Sequence, residues 1–132
     1  MGNLSGLLAT QDSSDVPVMA SGINVSSVTG GAAGSATIPA QPGQTAYMTG
    51  FEITSGGATA GLLLTATVTG LAGGTMSYVI SVPTGATLSA NPAWVSFYPA
   101  LAASGPNVAL TLNLPAASGR TAAALSVQGF YL

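Results

Sequence analysis

Apolar and polar residues alternate with a period of two along most of this chain. Met76, Tyr78, Ile80 and Val82 fall on one side of their segment, while Thr75, Ser77 and Ser81 fall on the other with Val79 as the exception. Val108, Leu110, Leu112 and Leu114 alternate cleanly with Ala109, Thr111 and Asn113. Successive side chains of a strand leave opposite faces of the pleat, so this pattern places one face on a core and leaves the other wetter. No window sustains an i, i+3, i+4, i+7 stripe without a Gly, a Pro or a run of Thr breaking it, and helices are not expected.

About eight such segments recur, over residues 23–28, 35–39, 45–54, 61–70, 75–82, 93–98, 107–114 and 122–132. Turn-forming clusters separate them: Gly30-Gly31, Pro42-Gly43, Ser55-Gly56-Gly57, Gly73-Gly74, Pro83-Thr84-Gly85, Asn91-Pro92, Ser104-Gly105-Pro106 and Ser118-Gly119. Short strands at this spacing predict an all-β fold, an antiparallel sandwich or barrel, in a single domain over 23–132. Residues 1–22 are polar and acidic with no clear period, and read as an extended N-terminal arm. Leu4, Leu7, Leu8, Val16, Val18 and Met19 are scattered through it. Two readings stand: a free terminus, or an arm that docks these apolar side chains on a neighbouring chain.

Composition changes this picture mainly at the surface. Apolar residues make up 48% of the 132, an ordinary share, but charged residues only 3%, against about 25% in typical soluble domains. Asp12, Asp15, Glu52 and Arg120 are the only formally charged residues, and lysine, histidine and cysteine are absent. One arginine cannot neutralise a phosphate backbone, so nucleic acid is excluded as a partner. Without Cys, His or Lys there is no thiolate metal site, no disulfide and no base for an activated nucleophile, so neither enzyme activity nor a cofactor is expected. The mean hydropathy of +0.57 is positive. The best apolar run, residues 61–64, nevertheless stops at Thr65, far short of a membrane-spanning helix, and residues 1–20 hold no Lys or Arg to mark a secretory leader. So few charges leave little to hold copies apart in solution, and the chain is expected to associate.

Trp94, Phe97 and Tyr98 form the densest aromatic cluster. At strand period Trp94 and Tyr98 share a side with Phe97 opposite. Either Phe97 packs the core while the other two cap its edge, or Trp94 and Tyr98 anchor an interface. A sugar-stacking platform would want a carboxylate nearby, and the nearest acidic residue in the sequence is Glu52, forty-odd positions away. Glu52 and Arg120, the two charges inside the strand region, are a candidate ion pair within or between subunits, the alternative being two independent exposed charges.

The runs Thr49-Gly50-Phe51-Glu52-Ile53-Thr54, Gly57-Ala58-Thr59-Ala60, Val68-Thr69-Gly70-Leu71-Ala72-Gly73-Gly74-Thr75, Val82-Pro83-Thr84-Gly85, Ala102-Ala103-Ser104-Gly105-Pro106-Asn107, Thr121-Ala122-Ala123-Ala124 and Val127-Gln128-Gly129-Phe130 resemble small head decoration, or cement, proteins of tailed bacteriophages. The likeness covers about residues 45–132 and rests on turn and strand signatures. It implies a jelly-roll-like β-sandwich, homotrimeric, on the outer surface of the virion capsid, bridging subunits of the major capsid protein. The competing expectation is a tail or fibre binding module that recognises a host receptor or glycan.

Overall fold

The computed structural model describes residues 9–11, 17–19, 22–85 and 93–132. It is all-β, with β1 (Ala9–Gln11), β2 (Pro17–Met19), β3 (Ile23–Thr29), β4 (Gly34–Ile38), β5 (Thr45–Gly56), β6 (Leu62–Thr69), β7 (Met76–Val82), β8 (Ala93–Pro106), β9 (Leu110–Leu114) and β10 (Ala122–Tyr131). The last eight form two antiparallel four-stranded sheets, ordered β3-β10-β5-β8 and β4-β9-β6-β7.

This order follows from one long hairpin rolled over itself. Its hydrogen-bonded partners are β3 with β10, β4 with β9, β5 with β8 and β6 with β7, outermost pair to innermost. Successive pairs fall in opposite sheets, and β10 joins β5 while β9 joins β6 to complete them. That winding is the jelly roll. The fold is therefore an antiparallel jelly-roll sandwich of eight strands.

The period-two pattern fixes which face each strand buries. Met48, Phe51 and Ile53 from β5 and Leu125 and Val127 from β10 meet Ile38, Val68, Leu110, Leu112 and Leu114 from the other sheet, all essentially inaccessible to solvent. Phe51 sits at the centre, edge-on to Tyr78 with ring centroids 5.0 Å apart and tilted against Phe97 at 6.1 Å. Aromatic pairs favour such geometries because the electron-poor edge of one ring meets the electron-rich face of another.

The strand expected over 45–54 runs on as β5 through Ser55 and Gly56, read as part of a turn, and two other segments depart from the sequence reading. The strand expected over 93–98 continues to Pro106, because β5 offers partners along its whole length from Ile53 opposite Ala93 to Thr45 opposite Pro106. Ser104-Gly105-Pro106, read as a turn, is thus strand. Proline is tolerated there because β8 is an edge strand whose outer side is bonded to the β6–β7 turn at Ala102 and Ser104, short of Pro106. The turn comes one residue later, at Asn107, whose positive φ of 59° suits asparagine and whose N–H donates to the Gln44 carbonyl at 3.0 Å. Val108 consequently precedes β9.

The N-terminal segment is not simply extended. β1 and β2 pair as an antiparallel ribbon with Ala9 opposite Met19 and Gln11 opposite Pro17. Of the apolar residues proposed for docking, Leu4, Leu7, Leu8 and Val16 lie outside the described residues, as do the side chains of Val18 and Met19, whose backbone belongs to β2.

Candidate functional site

Arg120 and Glu52 do not pair within the protomer, and they are not two exposed charges either. Arg120 is 3% exposed. Its Nε donates to the Gly30 carbonyl at 2.8 Å, its Nη2 to Ala32 at 2.6 Å and its Nη1 to Pro115 at 3.2 Å. The adjoining backbone closes the same junction, Ala117 N–H donating to Gly31 and Arg120 N–H to Ala117. The guanidinium therefore staples the β3–β4 turn to the β9–β10 loop, with carbonyl dipoles in place of a counter-charge. Burial lowers its pKa, yet a guanidinium keeps its proton at any physiological pH. Glu52 is exposed in mid-strand, opposite Ser126 on one side and Trp94 on the other. Two carboxylate oxygens left in water carry no desolvation cost, so nothing drives Glu52 toward the buried arginine.

Glu52 thus becomes the only exposed charged side chain among the described residues. It stands on the outer face of the β3-β10-β5-β8 sheet, where register aligns two neighbouring rows. One runs Ser26, Ser126, Glu52, Trp94, and the next Asn24, Gln128, Gly50, Ser96. These residues face outward because the alternating positions Val25, Val127, Phe51 and Val95 face the core. Trp94 is 74% exposed. Gly50 adds no side chain and is itself buried, with Gln128 Oε1 lying 3.6 Å from where its Cβ would stand. A Cβ there would lie 2.7 Å from the Val95 carbonyl oxygen, closer than packing allows.

Beyond Ser96, β8 leaves the sheet. The ladder steps from Gly50 to Met48 on β5 while β8 advances from Ser96 to Leu101, so three extra residues bulge outward. Tyr98 rides on this bulge, completely exposed, followed by Pro99 through a cis peptide bond. Phe97 turns inward against Phe51. The cluster is accordingly divided: Phe97 packs the core as one sequence reading expected, whereas Trp94 and Tyr98 stand in solvent and do not cap its edge.

The opposite outer face is different. Ser35, Thr37, Thr65, Thr67, Thr69, Ser77, Thr111 and Asn113 occupy outward positions of β4, β6, β7 and β9. Several bond to one another: Thr37 and Thr111 hydroxyls lie 3.1 Å apart, and Asn113 Nδ2 donates to Thr69 Oγ1 at 3.5 Å. β6 and β9 pair only through Thr67–Thr69. Where they part, a shallow recess of about 380 Å³ opens beside Ser35, Thr65, Thr67 and Asn113. Leu63 and Val79 are the exposed large apolar residues of this sheet.

Neither face holds an acid and base within reach of each other. Among the described residues no three of His, Cys, Asp and Glu come together, and Glu52 is the sole carboxylate side chain. What the first face can do is stack and hydrogen-bond. Sequence reasoning found Trp94 and Tyr98 but set Glu52 apart from them, because the long-range pairing that places Glu52 opposite Trp94 has no local signal. No protein-family model matches the chain, and no curated protein and no solved structure matches it.

Proposed function

We propose that this chain is a non-enzymatic structural protein of a virus particle, a head decoration or cement protein that bridges major capsid subunits from outside. The observation that carries the reading is the surface: one exposed charged side chain among the described residues, Glu52, on a jelly roll whose other exposed positions are mostly Ser, Thr, Ala, Gly, Pro and amides. Soluble domains use many charges to stay apart. A surface of small uncharged side chains instead permits close contact and loses little side-chain entropy when ordered. Exposed apolar residues lie on both outer faces, Val28 on one and Leu63 and Val79 on the other, which suits a subunit that touches both a sister copy and a shell. The likeness of residues 45–132 to phage decoration proteins points the same way, and a homotrimer is the arrangement it implies.

Copy number in purified particles tests this reading. Quantitative mass spectrometry should find hundreds of copies per particle, with particles stripped of the protein rupturing at lower temperature. A handful of copies, located at a tail or fibre, would overturn it.

A further inference from the structure

The outer face of the β3-β10-β5-β8 sheet gathers a chemistry that the assembly reading does not use. Across its two central rows stand an indole, a carboxylate, two carboxamides and three hydroxyls, with no aliphatic side chain and no cation. The core of a protein interface is more apolar than this and depleted in charge. A sugar ring matches it better. One side of a pyranose is a patch of C–H groups that lies on an aromatic face, and its rim is a set of hydroxyls that both donate and accept.

Each group here has a place in that match. Trp94, 74% exposed at the edge of the sheet, supplies the stacking surface. Glu52, directly across the strand pair from it, accepts from hydroxyls, and the Gln128 and Asn24 amides together with Ser26, Ser96 and Ser126 donate and accept. Tyr98, on the bulge beyond Ser96, extends the aromatic surface along β8. The sign of the charge selects the ligand, since an acidic saccharide would meet Glu52 with no exposed lysine or arginine among the described residues to offset it.

We propose that this face is a saccharide-binding platform for an uncharged glycan, built on Trp94 and Glu52. The proposal goes beyond the structural role and stands on the sheet face alone, so a decoration protein with or without it remains a decoration protein.

Native affinity electrophoresis of the full chain tests it, in gels cast with a mannan, a dextran or a soluble β-glucan, with polygalacturonate as the acidic counterpart. The chain should be retarded by at least one neutral polymer and not by polygalacturonate. Trp94→Ala should weaken that interaction about tenfold or more, and Glu52→Gln severalfold. Trp94→Phe should retain much of it, and Thr67→Ala, on the opposite face, all of it. Circular dichroism of each variant establishes that it folds; if Trp94→Ala does not, the Glu52→Gln and Trp94→Phe results decide. Unchanged mobility in every neutral gel overturns the proposal, as does stronger retardation by polygalacturonate or equal loss in Trp94→Ala and Thr67→Ala.

Discussion

Removing the Arg120 side chain would break three bonds to the backbone carbonyls of Gly30, Ala32 and Pro115, residues that are themselves exposed to water. Water takes up part of what these acceptors lose, and Arg120→Ala should lose about 2 kcal/mol of unfolding free energy in urea titrations. Arg120→Lys keeps the charge but not the fork, cannot reach all three acceptors at once, and should lose about half as much. A loss under about 0.5 kcal/mol for Arg120→Ala would mean that the staple contributes nothing. Gly70 shows the same dependence on backbone. Its φ of +92° is open to glycine, and a Cβ would fall 2.1 Å from the Ala109 carbonyl oxygen. Gly70→Ala should therefore open the β6–β7 turn away from the β8–β9 connection and lower the urea midpoint more than Gly73→Ala, where a Cβ meets nothing.

At the level of elements, the two four-stranded sheets contain every partner their strands require from Ile23 onward. The β1–β2 ribbon pairs with itself. Deleting residues 1–20 should accordingly leave a β-rich domain that unfolds cooperatively, with weakened self-association or capsid binding if the segment docks on a neighbour. Sedimentation and capsid-binding stoichiometry read this out. Unchanged association after the deletion would move the interface onto the sandwich, where Tyr98 on its bulge and Leu63 with Val79 on the opposite sheet are the exposed apolar positions to replace first.

The whole molecule should be nearly indifferent to pH and salt over a wide range. No side chain of histidine type titrates near neutrality. Burial raises the phenol pKa values of Tyr78 and Tyr131 above the usual value of about 10, and the Tyr131 hydroxyl also donates to the Pro39 carbonyl at 2.6 Å. The folded chain then holds protons that the unfolded chain has released, so this contribution is fully present below about pH 10 and is lost as pH rises through the folded values. Arg120 shifts with the opposite sign, but its guanidinium stays charged through that window. Urea midpoints should agree between about pH 6 and pH 9 and fall by pH 11. With one exposed charge on the described fold, changing sodium chloride from about 0.05 M to about 0.5 M should leave the midpoint almost unmoved, since there is little to screen. A midpoint that rises from pH 9 to 11 would refute the assignment of the phenols.

The sequence by itself determined the fold class, because period-two burial and Gly-Pro punctuation are local properties that every strand carries in its own residues. Val108, Leu110, Leu112 and Leu114 announced a strand wherever the chain might place it, and of the expected residues 107–114 only the first three fell outside β9. Which strands pair was decided by tertiary structure. A hydrogen-bond ladder is indifferent to side-chain identity at its outward positions, so nothing local says that Glu52 stands opposite Trp94, that β8 runs to Pro106 along the length of β5, or that Arg120 reaches back ninety residues to Gly30. The charge-poor surface was legible from composition, since the number of charges does not depend on folding. The platform on that surface was not, because it is made by register: four strands separated in sequence meet in two rows, and a shift of one residue in any pairing would turn its members into the core.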